Sequence, residues 1–466
     1  RVTGRNKKVK QKRSATPARK QTVVAPTPQQ LEAMQLRRIV LIGTILFACM
    51  SGVGASCIYL QGCESSAFVE EAERNYLRKL SLDTQRGDIF DRNREALATS
   101  VEVDTIYANP RKVTDPIGVA AELAVILDMD EEQLIFRLTS SSHFRYLKRQ
   151  VTQTEADQVR EKNFDGIMIS RESKRFYPKK ELAGQVLGVV GFDSRGQEGL
   201  ESTWDTRLRG GQLEARYHRD SRGRYAMVDS LPPVETKAGH SLQITVDEKI
   251  QAVVERELER ACLSSLARSG IAVVMDVETG DVLAVGHYPR FNPNRYREQI
   301  AEDRALQESG KRVVQRFKNR SITDIFEPGS TFKIFTLAAG LEEGVVGLED
   351  MVDLEGGRYK VGRKWISDTH RFKERKKSVS DIIKYSSNVG VIKIGQMLGR
   401  ERLHTYLSDF GFGSTSGVGL AGDSPGLLRP HREWAEITLA NVAFGQGVAV
   451  TAIQITAATA AIGNDG

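Results

Sequence analysis

The chain has 466 residues, of which 67 are Lys or Arg and 60 are Asp or Glu, so its formal net charge is +7. This length exceeds that of one ordinary domain and predicts two or three domains. The positive charge is concentrated in residues 1–38, which hold eleven basic residues and one acidic residue, whereas the remainder holds 56 basic and 59 acidic residues. The basic character therefore belongs to a tail that binds either nucleic acid or an anionic membrane, and its neighbouring segment decides between them.

The cysteines and histidines do not indicate a disulfide framework or a metal site. The four cysteines are Cys49, Cys57, Cys63 and Cys262, and no CxxC or HExxH motif occurs. None of the seven histidines has metal-ligand spacing. We therefore predict no cofactor and no metal.

An uncharged apolar segment follows the basic tail. It runs over 22 residues from Ile39 to Leu60, which is long enough to cross a bilayer as a helix. Arg37 and Arg38 precede it and acidic residues follow it, so the positive-inside rule predicts a cytoplasmic tail with residues 61–466 outside. A cleaved signal peptide is the alternative, although its apolar region would be shorter, and a lipoprotein cleavage site before Cys63 fits poorly. The membrane anchor therefore favours an anionic membrane over nucleic acid as the partner of the basic tail, and we predict no nucleic-acid partner.

Small residues recur every four positions along this segment, at Thr44, Ala48, Gly52 and Ser56. Small residues on one face allow a second membrane helix to pack closely, so a membrane-embedded partner is one hypothesis. A lone anchor of ordinary composition is the other.

Residues 61–235 are predicted to form a mixed α/β domain. Residues 70–82 are predicted as a short helix, and the alternation on either side of Arg92-Asn93 predicts a hairpin. Short strands and helices follow as far as Pro232-Pro233, which is typical of a linker.

Residues 236–466 are predicted to form an α+β domain with helices packed against an antiparallel sheet. Residues 241–246 alternate as a strand, and Asp247 is predicted to cap a helix that ends near Ala267. The strands 271–276 and 282–286 are predicted to form a hairpin. The charged residues 294–320 are predicted to be a loop.

The segment from Glu327 to Lys333 carries the strongest chemical signal. Ser330 lies three residues before Lys333, after a Pro-Gly break and before an apolar run that predicts a buried helix. A serine hydroxyl becomes a nucleophile when a base is adjacent, and a buried lysine with a lowered pKa can be that base. Because a helix N-terminus favours negative charge, the position suits a serine that develops an oxyanion.

A second polar group lies 56 residues later, at Ser386 and Asn388. Ser378 begins a capping box that starts a short helix, so Ser386 and Asn388 fall near its end or in the following loop. A hydroxyl there can relay a proton to a leaving amine, and an amide can bind a substrate amide. The tripeptide alone is also an ordinary helix ending. Together with the Ser330 segment it matches the Ser-x-x-Lys and Ser-x-Asn elements of penicillin-recognising serine enzymes.

The chain resembles the class B penicillin-binding proteins, and among them the septal FtsI-like transpeptidases, from about residue 36 onward. Residues Thr323–Lys333 are close to the division-type active-site signature, whereas elongation-type relatives usually differ just before the serine. The membrane-proximal motif of the family resembles Arg86–Ala98, where Arg94 departs from the usual glycine. The pedestal motifs of the family resemble Arg175, Tyr177, Pro178, Gly191 and Gly199–Glu201. The segment that follows Ser-x-Asn in the family resembles Phe444–Gly447 with Val450, Thr451 and Gln454.

This resemblance implies an α+β protein with one N-terminal transmembrane helix. Its parts are expected to be a basic cytoplasmic tail (1–38), the span (39–60), an extracytoplasmic pedestal (61–235) and a transpeptidase domain (236–466). It further implies that Lys333 activates Ser330, which attacks the bond between two D-alanines of a peptidoglycan stem peptide. Ser386 would then protonate the leaving D-alanine and Asn388 would orient the donor.

The resemblance also implies partners and a location. β-Lactams are expected to acylate Ser330, and an FtsW-like septal glycosyltransferase with other divisome proteins is expected as partner, at the bacterial inner membrane. No Lys-Thr-Gly or Lys-Ser-Gly occurs, so the transpeptidase domain is expected to be truncated at its C-terminal side. A scaffold for the glycosyltransferase with secondary catalysis is an alternative. A serine β-lactamase or D,D-carboxypeptidase is another, against which the anchor and the long pedestal argue.

Two further motifs are rejected as sites. Residues 417–422 spell GxGxxG, but no clear strand precedes them and Asp423-Ser424-Pro425-Gly426 follows where a helix should begin. The basic cluster 371–377 is interpreted as a solvated loop or as attraction to an acidic polymer rather than as a nucleic-acid site.

Overall fold

The computed structural model describes residues 28–62, 77–83, 85–210, 212–219, 225–227, 238–370 and 372–466. The chain divides into two compact units, residues 1–80 with 216–230, and residues 81–215 with 231–466. The second unit contains most of the predicted pedestal, residues 61–235, and the whole described part of residues 236–466. Cys63 and Pro232-Pro233 lie outside the described residues.

The described part of the chain contains both helices and strands throughout its length. The α-helices are α1 Pro28–Gly62, α2 Pro116–Leu127, α3 Glu131–Leu138, α4 Gln153–Lys162, α5 Gly184–Leu187, α6 Gly199–Thr203, α7 Asp205–Leu208, α8 Glu248–Ser264, α9 Tyr296–Glu308, α10 Arg320–Thr323, α11 Lys333–Glu342, α12 Val379–Lys384, α13 Asn388–Leu398, α14 Arg400–Asp409, α15 Glu436–Ala443 and α16 Ala452–Gly463. The strands are β1 Leu77–Asp83, β2 Ile89–Phe90, β3 Ala96–Ala108, β4 Arg145–Val151, β5 Ile167–Phe176, β6 Gln212–Arg219, β7 Tyr225–Met227, β8 Leu242–Gln243, β9 Gly270–Met275, β10 Val282–Tyr288, β11 Met351–Asp353, β12 Arg358–Val361, β13 Lys364–Ser367 and β14 Lys376–Ser378.

Helix α1 contains the predicted membrane segment. Its apolar part, Gln35–Gln61, has a mean hydropathy of 2.0, and its side chains are exposed within the protein. In the part of the chain that the structure describes, this is the one helix long and apolar enough to cross a membrane. Such a length and composition suit a segment whose outer surface is covered by lipid.

The predicted helix over residues 70–82 is wrong where the structure describes it. Residues Leu77–Asp83 form strand β1, in a three-stranded sheet of order β1-β6-β7. Residues 70–76 lie outside the described residues. Pairing with β6 supplies the backbone of this segment with hydrogen-bond partners, and such long-range pairing is not visible in local sequence.

The pedestal is built on the long strand β3. This strand pairs with β2, β4 and β5, and β8 joins the free side of β2 in the sheet order β4-β3-β2-β8. The β3–β5 ladder is antiparallel from Thr99, opposite Phe176, to Ala108, opposite Ile167. The predicted strand 241–246 is shorter than expected, because its ladder partner β2 has only two residues.

The predicted hairpin around Arg92-Asn93 is confirmed, with Ile89 opposite Ala98. Arg94 adopts a φ of +66°, a left-handed conformation that glycine adopts without steric cost. The buried Asp91 carboxylate accepts hydrogen bonds from the backbone N–H groups of Asn93, at 2.7 Å, and Glu95, at 2.8 Å. The carboxylate therefore holds a turn that would otherwise favour glycine.

Charged residues of the membrane-proximal and pedestal motifs meet in a buried ion network. Both carboxylate oxygens of Glu201 accept, one from Arg86 Nε and one from Arg175 Nε, each at 2.6 Å. Arg86 also donates to Asp205 Oδ1 at 2.6 Å, and Tyr177 Oη lies 3.4 Å from Glu201 Oε1. Because Glu201 is fully buried, these pairs fix the chain segments that carry them.

The second part of this unit begins with helix α8 and the hairpin β9–β10. Asp247 caps α8, as predicted, by accepting from the N–H groups of Lys249 and Ile250. Val285 of β10 pairs with Val273 of β9 in an antiparallel register. A shared core, including Ile89, Leu187, Val285 and Ile453, packs this hairpin against the pedestal.

The prediction of a loop over residues 294–320 is wrong, because Tyr296–Glu308 forms helix α9. Gln299 is its one buried residue, so the apolar periodicity that normally indicates a helix is weak. The charged residues instead form ion pairs along and beside the helix, such as Arg295–Glu298 and Arg316–Asp303. A charged composition here marks a solvated helix surface.

A mostly helical lobe contains the nucleophile segment. Its core joins α11, α13, α14 and the loops around them, with buried Phe332, Phe335, Ile394, Leu403 and Phe412. The hairpin β12–β13 and the pair β11–β14 lie at its edge. The basic cluster 371–377 was predicted as a loop, but its last two residues belong to β14, where Lys377 pairs with Glu374 at 2.9 Å.

Candidate active site

Ser330 lies in a 3-10 turn, Gly329–Phe332, that leads directly into α11. The helix begins at Lys333, so the serine precedes the first α-helical residue by three positions. Phe332 and Phe335 anchor this junction, with ring centroids 4.8 and 5.0 Å from that of Phe412. The aromatic core therefore fixes the start of α11 and the turn before it.

The segment 444–450 braces the same turn from outside the helix. Gly329 N donates to Gly445 O at 2.9 Å, and Gly447 N donates to Glu327 Oε1 at 2.7 Å. Gly445 has a φ of +81°, and a Cβ there would lie 2.2 Å from Gly329 O. Only glycine allows this approach. The Phe-Gly-Gln-Gly segment singled out in the sequence thus holds the serine turn in place.

Lys333 is the most constrained polar residue of the site, with 1% of its surface exposed. Its Nζ donates to three oxygens: Ser386 O at 2.6 Å, Ser386 Oγ at 2.9 Å and Asn388 Oδ1 at 2.7 Å. These contacts use all three N–H groups of an ammonium. The structure therefore brings three of the four predicted site residues together.

Burial lowers the pKa of Lys333 from 10.5 to about 8, because removal from water disfavours the charged amine. The carboxylate of Asp368 acts in the opposite direction and favours the ammonium. A lysine with this pKa loses its proton readily near neutral pH, as a general base must.

Ser386 and Asn388 lie at the junction of α12 and α13. The predicted helix start at Ser378 is confirmed, since its side chain accepts from Asp381 N. Ser386 follows the end of α12 with a φ of +57°, and Asn388 is the first residue of α13. The Asn388 Nδ2 donates to Ser367 O at 2.9 Å, which leaves its second amide hydrogen available.

The Ser330 hydroxyl is exposed and has no hydrogen-bond partner in the described part of the chain. It is therefore open to an incoming group, whereas Lys333 is turned to Ser386 and Asn388. Contacts between a nucleophile and its base often tighten only when substrate binds.

Asp368 is a site residue that the sequence analysis missed. It follows β13, and its carboxylate accepts from Ser387 Oγ and from Val389 N, each at 2.9 Å. The turn at Gly362-Arg363 is a local signal for the hairpin that ends at Asp368. No spacing in the sequence indicates that this hairpin lies against residues 386–389.

The rejected GxGxxG motif does not have the geometry of a dinucleotide site. Residues 417–422 lie in turns outside the helices and strands, and Gly417, Gly419 and Gly422 all have positive φ. The next α-helix, α15, begins only at Glu436, so no helix N-terminus follows to bind a pyrophosphate.

This arrangement can perform acyl transfer. It combines an exposed serine, a buried lysine of lowered pKa, and a second serine hydroxyl that is hydrogen-bonded to that lysine. The lysine can remove the serine proton, and Ser386 lies where it can pass a proton on. The N–H of Ser330 lies in the first turn, where helical geometry provides no acceptor, so it can stabilise an oxyanion.

Two family models match the chain. Residues 270–466 match the penicillin binding protein transpeptidase domain, and residues 81–244 match the penicillin-binding protein dimerisation domain. The peptidoglycan D,D-transpeptidase FtsI of Escherichia coli is 34% identical over 437 residues, which cover 92% of this chain and 71% of that protein. The chain belongs to the class B penicillin-binding proteins and is FtsI-like.

Solved structures of penicillin-binding proteins share this fold. A peptidoglycan synthetase from Bifidobacterium adolescentis superposes with a TM-score of 0.61 at 26% identity, over 84% of this chain and 73% of that one. Penicillin binding protein 3 from Mycobacterium tuberculosis, complexed with aztreonam, gives a TM-score of 0.57 at 25% identity, over 83% and 66% of the two chains. Helix α1 and the membership of this family together indicate that this penicillin-binding protein is a single-pass membrane protein.

Proposed function

We propose that this protein is a serine D,D-transpeptidase that crosslinks peptidoglycan stem peptides during cell division, with Ser330 as its nucleophile. One observation carries the assignment of the site. Lys333 is buried, has a lowered pKa and donates to both Ser386 and Asn388, and it lies one helical turn from the exposed Ser330. These are the components that a serine acyl transfer requires.

In the first step neutral Lys333 takes the proton of the Ser330 hydroxyl. Ser330 Oγ then attacks the carbonyl carbon of the peptide bond that joins the two D-alanines. The oxyanion that forms accepts a hydrogen bond from the Ser330 N–H. The C–N bond then breaks. The proton on Lys333 passes through Ser386 Oγ, 2.9 Å away, to the leaving amine, so D-alanine departs neutral in its amino group.

In the second step the amine of another stem peptide attacks the acyl-enzyme. Ser386 Oγ passes the proton of that amine to Lys333 as the new peptide bond forms. The ester bond to Ser330 then breaks, and Lys333 returns this proton to Ser330 Oγ. No ATP is needed, because the cleaved peptide bond supplies the free energy. The free amide hydrogen of Asn388 is the donor that we assign to the backbone of the bound stem peptide. β-Lactams follow the first step and stop at the acyl-enzyme.

The assignment of residues to domains follows from the same proposal. Residues 1–38 are a cytoplasmic tail, 39–60 cross the inner membrane, 61–235 are the pedestal and 236–466 belong to the transpeptidase domain. The arginines before the span and the acidic residues after it support an extracytoplasmic catalytic domain.

We assign partner binding to the small-residue face of α1, for an FtsW-like glycosyltransferase of the divisome. Among the described residues, no atom lies within 4 Å of a Cβ built at Gly52, so this face can receive a second helix. Substitution of Gly52 by Leu should weaken co-purification of such a partner and leave penicillin labelling unchanged. Gly54→Leu makes the same change on another face of α1 and is the matched control. Equal loss in both variants would contradict the proposed face.

Labelling with a fluorescent penicillin tests the catalytic proposal. The full-length protein in membranes should form one covalent adduct, which peptide mapping should place on Ser330. Ser330→Ala should abolish the adduct, whereas Ser309→Ala, which removes an exposed hydroxyl at the end of α9, should label like the wild type. An adduct on another residue, or labelling of the Ser330 variant, would overturn the assignment.

A further inference from the structure

We infer that Asp368 is a positioning residue that holds the turn of Ser386 and Asn388 against Lys333. This inference rests on the proposed function, because it concerns how the same site is assembled. The residues that touch Lys333 lie on a turn between two helices. A hairpin from elsewhere in the chain, β12–β13, reaches this turn with its last residues.

The end of β13 holds three consecutive residues of that turn. Asp368 Oδ2 accepts from Ser387 Oγ and Oδ1 accepts from Val389 N, each at 2.9 Å. Between them, Asn388 donates its amide to Ser367 O at 2.9 Å. Every polar contact of the turn with the hairpin therefore involves Asp368 or the residue before it.

The two ends of the hairpin are also joined to each other. Asp368 N donates to Gly357 O at 2.8 Å, which fixes the carboxylate relative to the start of β12. Ser387 is 1% exposed, and its hydroxyl also accepts from Gly390 N as the cap of α13. A buried hydroxyl with this pair of partners has one geometry, and the carboxylate at the helix N-terminus favours it electrostatically.

The turn needs such support because Ser386 has a φ of +57°. A residue with a Cβ is strained in this conformation and keeps it only when its surroundings determine it. The strain serves the site, since it aims both the carbonyl and the hydroxyl of Ser386 at Lys333 Nζ. Without Asp368, the segment is free to relax and move the Ser386 hydroxyl away from the lysine.

Asp368 also contributes charge to the site. Among the charged groups of the described residues on the elements around Lys333, Asp368 is the one whose field favours its ammonium. Lys393 of α13 is paired with Glu355 at 2.7 Å, and Lys384 of α12 lies over the Tyr385 ring. The geometric role and the electrostatic role of Asp368 predict different effects, so two substitutions separate them.

Asp368→Ala removes both roles, whereas Asp368→Asn keeps the shape and one carbonyl acceptor but removes the charge. We expect Asp368→Ala to lower the second-order rate of acylation by a β-lactam roughly 10- to 100-fold at every pH, since two hydrogen bonds are lost. The acylation rate of Asp368→Asn should stay within about threefold of the wild-type rate at pH 9, where Lys333 is neutral in both proteins.

The pH profile supplies a readout that a purely structural role would not move. Removing the carboxylate disfavours the ammonium, so the rise of acylation rate with pH should shift to lower pH in Asp368→Asn. The ratio of its rate to the wild-type rate should then be larger at pH 6.5 than at pH 9, by about twofold or more. Asp353→Asn is the matched control, because it removes a carboxylate that pairs with Arg375 on the same lobe. The acylation rate of Asp353→Asn should match the wild-type rate at every pH.

Melting temperatures of the variants in their full-length form show whether each protein is folded before rates are compared. The inference is overturned if Asp368→Ala is acylated at the wild-type rate. It is also overturned if the pH profile of the acylation rate is the same in Asp368→Asn and the wild type. Labelling of wild-type Ser330 is measured in the same series. Its failure would remove the proposed function, whereas normal labelling with unaffected Asp368 variants would remove this inference alone.

Discussion

The rate of β-lactam acylation should depend steeply on pH below 8, because only neutral Lys333 can take the Ser330 proton. Burial sets the pKa of this lysine at about 8. About one tenth of the molecules then carry the neutral amine at pH 7 and about one hundredth at pH 6. Between pH 7 and pH 6 the rate should therefore fall about tenfold, which corresponds to about 1.4 kcal/mol in the activation free energy.

Stopped-flow measurement with a chromogenic β-lactam between pH 5.5 and 9.5 tests this dependence. The rate should rise through a midpoint near 8 and level off above it, after correction for uncatalysed hydrolysis. Circular dichroism over the same range shows whether the protein stays folded. A flat profile between pH 6 and 8 would refute the assignment of Lys333 as the base. A rate that still rises about tenfold per pH unit at pH 9.5 would refute the effect of burial, because the pKa of Lys333 would then lie near its ordinary value of 10.5.

Three substitutions test the supports of the fold and of the serine turn. Glu201→Gln should lower the free energy of unfolding by about 3–5 kcal/mol in urea titrations, since two buried arginines lose their carboxylate. Glu102→Gln, which breaks an exposed pair, should cost less than about 1 kcal/mol, and equal effects would contradict this reasoning. Gly445→Ala should abolish penicillin labelling, because its Cβ meets the backbone of the serine turn, whereas Gly447→Ala has similar φ strain without a clash and should label normally. Arg94→Gly should raise the unfolding free energy by about 0.5–1 kcal/mol by relieving a φ of +66°, and a loss of stability would contradict the strain.

Local signals predicted the elements whose cause is local. The cap at Asp247, the cap at Ser378 and the hairpin β9–β10 are formed by residues close in sequence, and each was found. The apolar segment of α1 is likewise visible because its length alone satisfies a bilayer. Ser330 was recognisable for the same reason, since the break, the serine, the lysine and the buried helix are contiguous.

The misses arose where long-range contacts override local preference. Strand β1 was predicted as helix, although it pairs with β6 more than 120 residues later in the chain. Helix α9 was predicted as loop because its buried face is small and its charges pair with each other. Neither the strand nor the helix can be predicted from composition alone. The strand depends on a distant partner strand, and the helix depends on ion pairs along and beside it.

The site follows the same division between local and long-range causes. The sequence places Ser330 beside Lys333, but the separation of 53 residues between Lys333 and Ser386 is closed only by the fold. Where these residues meet, the structure has a strained Ser386, a capped α13 and a carboxylate from a hairpin that has no motif of its own. A nucleophile can be recognised from seven adjacent residues because its environment is its own helix. The proposed base and proton relay depend on how three separate segments pack, so we expect substitutions of Asp368 and Gly445 to affect the reaction as substitutions of the reacting residues do.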